Sequence, residues 1–543
     1  MSLTVSGALL AQTKHVDQYL KWFRKMSDDA KDDREFVLDP SQLTVEALQD
    51  VRQAALAVSD GKTARAVEAL LAARQGKFDK SIPNFKGFSG ILQDFLSHSL
   101  IDGWIYVESP GGHLYPELVT EITYQDGKDF RRGREIPSVT LKTVATGRCQ
   151  DHRGGKSVGV VRNAYVFTPE MVTRKKVGDA LAEEGLYKET PQLKEAYQAA
   201  MVDYEAKRGA FAKQFRAHGV CIGKEGEHYY RDYEDLGGRR VVADLADSDF
   251  APQRLSEESV LLPEEAGTVP VQPILRVFDL KKHELLWVHA QDLRPHQYDK
   301  SLRDKLVLPK SHRDLLDIMT TRLDVFIDDI IEGKSAGNVI LCRGVPGVGK
   351  TLTAEVYAEL IEKPLYKVQA GLLGSTAEEV EKNLEDVLER IQRYGAVGLI
   401  DEADVYVHSR GQSLERDAIV SVFLRAMEYF PGLLFMTTNR GDEVDSAFLP
   451  RCAAVINYDL PEREDLIKIW RVMASQFKAE FPEGLVESLV AAAPSIAPRD
   501  IKMLLRLALR VASASGEPLT LEVFRGCAMF RAIDFKTPDA PSN

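Results

Sequence analysis

One motif constrains this chain more than any other, the glycine-rich sequence GVPGVGKT at residues 344–351. It satisfies the pattern G-x-x-x-x-G-K-[ST] and stands between the strand-like segment NVILCR and the helix-like segment TLTAEVYAEL. Glycines there let consecutive backbone N–H groups turn towards phosphate oxygens, and the N-terminus of the following helix adds a favourable dipole. The motif therefore predicts a phosphate-binding loop in an α/β fold rather than a chance glycine-rich turn.

The side chains of this loop predict how ATP and Mg²⁺ are held. Lys350 is expected to neutralise the β and γ phosphates, and Thr351 to offer its hydroxyl to the metal ion. The nucleotide-binding residues predicted from this segment are Gly344, Val345, Pro346, Gly347, Val348, Gly349, Lys350, Thr351 and Leu352.

An acidic run, Asp401-Glu402-Ala403-Asp404, follows the apolar segment VGLI and begins 51 residues after Lys350. At the C-terminal end of a strand, Asp401 is expected to hold the magnesium shell together with Thr351, while Glu402 orients and deprotonates the attacking water. Alone, the run is equally compatible with an acidic turn. After a phosphate-binding loop at this spacing, the catalytic interpretation is favoured.

Two further polar residues follow the next apolar strand, LLFMTTN. Asn439 ends this strand, and its amide is expected to hold the same water. Arg451 comes twelve residues later, in DSAFLPRC. An arginine in such a place is usually a solvated surface charge; the functional alternative is that it reaches the γ-phosphate bound by a neighbouring subunit.

Taken together, residues from about 300 to 530 resemble the AAA+ ATPase module, and most closely single-ring AAA ATPases with their own N-terminal domains. GVPGVGKT resembles Walker A, VGLIDEAD Walker B, TTN sensor 1, DSAFLPRC the arginine-finger stretch and APRDIKMLLRLAL, with Arg499, sensor 2. The resemblance implies that Arg499 senses the nucleotide in cis. It also implies a ring, commonly a hexamer, that couples ATP hydrolysis to remodelling or unfolding a protein.

The sequence departs from the family pattern at two places. Many AAA unfoldases carry an aromatic residue in the first pore loop, whereas this chain has Leu372-Leu373-Gly374. Many relatives also carry two arginines in the finger stretch, whereas Arg451 stands alone after Pro450. An ATP-dependent oligomerisation switch that threads nothing is therefore an alternative to a threading remodeller.

The 543 residues suffice for about three or four domains. Helical periodicity predicts a helical module at 1–100, and short alternating segments predict a β-rich α+β domain at 101–300 with a long helix or helical hairpin near 190–218. Alternating strands and helices predict a parallel sheet with flanking helices, the large ATPase subdomain, at 301–460. A helical lid at 461–530 and a polar tail at 531–543 complete the prediction. Residues 1–300 are expected to select the protein partner.

Charge is unevenly distributed along the chain. The net charge of −12 argues against a surface built throughout to coat nucleic acid. Residues 131–162 nevertheless hold eight basic residues against two acidic ones, a local balance of +6. This stretch is either a solvated face or a docking surface for an acidic protein or a nucleic acid backbone. A nucleic-acid-associated ATPase, such as a loader or defence factor, is the corresponding alternative function.

Other features predict a cytoplasmic protein without a membrane span. The five cysteines form no Cys-x-x-Cys pair, and about 18 uncharged apolar residues never run together. The segment HELLWVH at 283–289 approaches the zinc-protease pattern H-E-x-x-H, but its histidines have the wrong spacing and its alternation favours a strand.

Overall fold

The computed structural model describes residues 3–10, 12–13, 35–38, 43–58, 60, 63–64, 67, 71, 81–109, 111–127, 129–130, 133–134, 136–146, 160–221, 223–224, 234–244, 269–321, 338–407, 414–428, 430–440 and 444–535. The chain divides into two compact units. The first comprises residues 1–211 and 215–294, and the second comprises residues 212–214 and 295–543.

The first unit begins with short strands as well as the predicted helices. Strands β1 (Leu3–Ser6) and β2 (Glu35–Leu38) pair in antiparallel fashion, which the sequence did not predict. The helices of this segment are α1 (Gly7–Leu10), α2 (Val45–Ala57) and α3 (Phe88–Ser97). Helix α2 begins where the Thr44 hydroxyl accepts a bond from the Ala47 N–H, and it buries an apolar face that includes Leu48 and Val51.

A five-stranded antiparallel sheet of order β8-β7-β4-β3-β9 follows. The elements from here to residue 188 are β3 (Trp104–Glu108), β4 (Leu114–Gln125), β5 (Asp129–Phe130), β6 (Gly133–Arg134), β7 (Ser138–Thr146), β8 (Val160–Phe167), α4 (Pro169–Val172), α5 (Val177–Glu183) and β9 (Leu186–Lys188). One face of the sheet packs against α3 and α5 in a core that contains Phe88, Val139 and Leu181.

Helix α6 (Pro191–Arg208) is shorter than the predicted helix or hairpin near 190–218. Gly209 follows its last residue, and Gln214–Ala217 forms strand β10 with Phe215 and Ala217 buried. A six-stranded sheet then has the order β11-β14-β13-β12-β10-β15. Its other strands are β11 (Gly223–Lys224), β12 (Arg239–Ala243), β13 (Ile274–Asp279), β14 (Leu285–His289) and β15 (Leu293–Pro295). HELLWVH thus enters a strand, as predicted.

The second unit contains a five-stranded parallel sheet of order β17-β18-β19-β16-β20. Its elements are α7 (Leu302–Lys305), α8 (Lys310–Thr321), β16 (Asn338–Gly344), α9 (Lys350–Leu360), β17 (Leu365–Gln369), α10 (Ala377–Arg393), β18 (Val397–Asp401), α11 (Leu414–Glu428), β19 (Leu433–Thr438) and β20 (Ala454–Tyr458). Strands β18 and β19 are buried along their whole length, as a sheet covered on both faces requires. Parallel strands end at one edge, so Gly344, Asp401 and Thr438 terminate on the same side.

Four helices follow in this unit, α12 (Arg463–Phe477), α13 (Leu485–Ala492), α14 (Pro498–Ser515) and α15 (Leu521–Met529). They share a core in which the rings of Trp470 and Phe524 meet edge to face with centroids 5.5 Å apart. The prediction of an α/β fold with a parallel sheet and a helical lid is confirmed.

Several predicted features fall on residues that the structure does not describe. Five of the eight basic residues of the stretch 131–162 lie there, whereas the side chains of Lys142 and Arg162 are described. Among the described residues, no helix combines the length and apolar character needed to cross a bilayer. Within the same part of the chain, no three His, Cys, Asp or Glu side chains are grouped to hold a metal ion.

Candidate functional site

The glycine-rich loop joins β16 to α9 in a conformation that requires glycine. Gly344 has φ 147°, and a Cβ atom built on it would lie 2.1 Å from the Tyr458 carbonyl oxygen. Gly347 has φ 85°, and its Cβ would lie 2.9 Å from the Cβ of Arg499. Glycine therefore allows two close approaches, one to strand β20 and one to the start of helix α14.

Lys350 is the first residue of α9, and its side chain turns back over the loop. Its ammonium donates to the carbonyl oxygens of Gly344 and Val345, both at 2.8 Å, and to Oδ1 of Asn439 at 2.9 Å. Burial lowers the pKa of Lys350, with nearby Asp404 acting in the opposite direction. The loop and the end of β19 thus hold this cation at the centre of the site.

Thr351 and Asp401 lie side by side at the edge of the sheet. The Thr351 hydroxyl donates to Oδ1 of Asp401 at 2.8 Å. Burial acts to raise the pKa of Asp401, but hydrogen bonds from Thr437, Lys367 and Thr351 outweigh it, so the pKa lies below its usual value. A hydroxyl beside an ionised carboxylate is a donor set that suits Mg²⁺, so these residues fit the predicted metal site.

Glu402 follows β18 in a left-handed conformation with φ 59°, which is uncommon for a residue other than glycine. Its backbone N–H donates to the Thr437 hydroxyl at 3.0 Å, and that hydroxyl donates to Oδ1 of Asp401 at 2.6 Å. Thr437 thus holds both acidic residues in place. No role was predicted for Thr437 from the sequence, although it belongs to TTN and lies two residues before Asn439.

Asn439 is held by Asp404, the last residue of the acidic run. Oδ1 of Asp404 accepts from the Asn439 N–H at 2.8 Å and also from the Thr438 hydroxyl. This carboxylate therefore positions the polar end of β19, a role that the sequence analysis did not assign. The available signal for this role was the position of Asp404 in the acidic run, three residues after Asp401.

One cavity of about 400 Å³ is lined by many of these residues, among them Lys350, Asp401 and Glu402. The N–H of Arg499, at the start of α14, donates to the Gly347 carbonyl oxygen at 3.1 Å and brings the lid helix to the glycine-rich loop. The cavity is lined by Pro346, Gly347, Gly349, Lys350, Thr351, Leu352, Glu355, Asp401, Glu402, Thr437, Asn439, Met473, Gln476, Pro498, Arg499 and Lys502. Glu355 and the four lid residues Met473, Gln476, Pro498 and Lys502 were not predicted.

Arg451 does not line this cavity. It ends the short helix Leu449–Arg451, where its Nη1 donates to the Ala447 carbonyl oxygen at 3.0 Å. Its Nη2 lies 3.4 Å from Oε2 of Glu428, and about a third of each side chain is exposed. Within one chain, the arginine is therefore separate from the cavity lining that contains Glu402 and Asn439.

The predicted pore-loop residues differ in exposure. Leu372 is 68% exposed, whereas Leu373 is 1% exposed and belongs to the core. The Tyr406 hydroxyl donates to the carbonyl oxygens of Ala370 at 2.8 Å and Gly374 at 3.0 Å, which ties the loop to the segment after the acidic run. One leucine, not two, is thus available at the surface in this conformation.

Replacing Thr437 by valine tests its positioning role. Thr437→Val keeps the shape but leaves the buried Asp401 with one donor fewer, so the free energy of unfolding is expected to fall by about 1–3 kcal/mol. ATP turnover is expected to fall by about tenfold or more because Glu402 loses its backbone anchor. Chemical denaturation and phosphate release measure the two effects. Thr437→Ser, which keeps the hydroxyl, should restore both; equal losses in both variants would contradict this role.

Part of the second unit matches a known protein family. Residues 340–460 match the family "ATPase family associated with various cellular activities (AAA)". The chain is 31% identical over 135 residues to the uncharacterized AAA family ATPase y4kL of Sinorhizobium fredii, covering 24% of this chain and 41% of that protein. It is 29% identical over 174 residues to a 26S proteasome regulatory subunit homolog of Methanothermobacter thermautotrophicus, covering 30% and 46%. The chain thus spans less than half the length of these relatives.

One solved structure is also similar to part of this chain. A chain from the structure of the E. coli MS115-1 HORMA:CdnC:Trip13 complex has 20% sequence identity and a TM-score of 0.35. The match covers 46% of this chain and 95% of that one.

Proposed function

Because this chain contains an AAA ATPase domain, we propose that it hydrolyses ATP to ADP and phosphate and uses the reaction to remodel a protein. One observation carries the proposal. The cavity is lined by five polar residues at the ends of adjacent elements, Lys350, Thr351, Asp401, Glu402 and Asn439. Each is the residue type that phosphoryl transfer to water requires.

Each polar group has a role in this proposal. The backbone of the glycine-rich loop and Lys350 bind the phosphates, and Thr351 and Asp401 hold Mg²⁺. When bound, the metal neutralises charge on the phosphate oxygens. Glu402 accepts a proton from the attacking water, and Asn439 orients that water. Arg499 contacts the nucleotide from the lid, so lid movement accompanies the change from ATP to ADP.

Oligomerisation into a ring would complete the site. Arg451 lies outside the cavity of its own chain, and it carries a charge suited to the γ-phosphate in a neighbouring subunit. A ring, with six subunits as the expected number, brings this arginine to a neighbour.

We propose that residues 1–300 select the protein substrate, that residues 301–460 and 461–530 form the motor, and that the protein acts in the cytoplasm.

A protein substrate is supported by one relative, which is named as a 26S proteasome regulatory subunit homolog. The single exposed leucine at 372 favours a second candidate, an ATP-dependent switch that assembles without threading a substrate. Leu372→Ala separates the two, because loss of remodelling with unchanged ATP turnover supports threading and intact remodelling supports the switch.

A nucleic-acid-associated ATPase is a third candidate. Stimulation of ATP turnover by added DNA or RNA, and salt-dependent binding to either, test it.

Lys350→Ala tests the proposed nucleotide site. Removing the buried ammonium takes away the charge-assisted bonds to the phosphates, so ATP affinity is expected to fall by about 10- to 100-fold. Titration with a fluorescent ATP analogue measures the affinity. Lys382→Ala removes an exposed lysine of α10 outside the cavity lining and serves as the control. Unchanged binding in Lys350→Ala would contradict the site assignment.

A further inference from the structure

A cation that the sequence analysis did not identify lies beside the predicted metal-binding carboxylate. Lys367 lies on β17, whose residue Gln369 pairs with Asp401 of β18. Because residues two apart on a strand share a face, Lys367 and Asp401 are diagonal neighbours. The Lys367 ammonium lies 2.9 Å from Oδ2 of Asp401, and the two side chains are 37% and 13% exposed.

The other carboxylate oxygen is also engaged. Oδ1 of Asp401 accepts from the hydroxyls of Thr351 at 2.8 Å and Thr437 at 2.6 Å. Lys367 therefore neutralises an Asp401 carboxylate that already accepts hydrogen bonds from two hydroxyl groups. A second carboxylate is within reach of the ammonium, because Oε1 of Glu355, a residue that lines the cavity, lies 3.8 Å from it.

A divalent cation that approaches Asp401 meets this ammonium at close range. Like charges repel strongly in a partly buried site. Asp401 therefore attracts the metal ion less strongly while its carboxylate is paired with Lys367. Movement of the ammonium towards Glu355 would relieve the repulsion without leaving the charge unpaired. The phosphates of a bound nucleotide add the negative charge that favours the metal.

We propose that Lys367 competes with Mg²⁺ for Asp401, that Glu355 receives the displaced ammonium, and that metal binding thereby depends on bound nucleotide. This inference rests on the proposed function, since it concerns the same ATP site. It assigns Lys367 and Glu355 as positioning residues that set metal affinity, and neither is proposed to contact the reacting atoms.

The test measures metal binding rather than turnover. The full chain is titrated with Mn²⁺, with and without a non-hydrolysable ATP analogue, and free Mn²⁺ is followed by electron paramagnetic resonance. With the analogue, Lys367→Met is expected to lower the Mn²⁺ dissociation constant by about tenfold. Lys367→Arg keeps the charge and should stay within about threefold of the original chain, whereas Glu355→Gln should raise the constant by about threefold.

The outcomes separate the inference from the proposed function. If the unaltered chain does not bind the analogue, the proposed function fails. If it binds the analogue and Mn²⁺ but Lys367→Met has the same metal affinity, the inference alone is wrong. Should Lys367→Met fail to fold, as judged by circular dichroism, Glu355→Gln decides: weaker Mn²⁺ binding supports the competition and unchanged binding overturns it.

Discussion

Glu402→Gln is expected to lower ATP turnover by about 10²- to 10⁴-fold while ATP stays bound, because an amide keeps the shape of the side chain but cannot accept the proton of water. The backbone N–H that anchors Glu402 to the Thr437 hydroxyl at 3.0 Å is unaffected by the change. The phosphate-binding residues Lys350 and Thr351 are likewise left in place.

Single-turnover phosphate release and equilibrium binding of labelled ATP measure the two halves of this prediction. Glu389→Gln makes the same chemical change at an exposed position of α10 outside the cavity lining, so it should leave both quantities unchanged. Normal turnover in Glu402→Gln would remove the assignment of Glu402 as the base. Loss of ATP binding would instead indicate a structural role.

Arg451→Ala is expected to lower turnover by about 10³-fold or more, provided that the arginine stabilises the transition state in a neighbouring subunit. ATP affinity should change much less, because Arg451 does not line the cavity of its own chain. Glu428→Gln removes the carboxylate 3.4 Å from Arg451 but keeps the guanidinium, and it should retain turnover.

Mixing two inactive variants tests the action between subunits. Lys350→Ala lacks the phosphate-binding cation but keeps Arg451, whereas Arg451→Ala has an intact cavity. In a mixed assembly, the first variant can supply its arginine to the second, so turnover should reappear on mixing. Full activity of Arg451→Ala alone, or no recovery in assemblies shown to contain both chains, would contradict the proposed role.

The sequence predicted the second unit better than the first for a physical reason. After residue 300, local periodicity predicts the order of strands and helices. The glycines at 344 and 347 add to this prediction, because they indicate a backbone conformation that favours glycine. The pairing of strands β1 and β2 joins residues about 30 positions apart, so no local sequence pattern predicts it. The helix predicted near 190–218 was too long because the helical pattern in the sequence continues past Gly209. Residues 214–217 instead form a strand that buries Phe215 and Ala217.

The sequence by itself determined the glycine-rich loop, the acidic run after a buried strand and the identity of the candidate chemical groups, because these depend on residues adjacent in the chain. The tertiary structure alone decided that Thr437 and Lys367 contact Asp401, and that Arg451 lies outside the cavity. Those contacts follow from the order and register of parallel strands, which place side chains from distant segments within hydrogen-bonding distance.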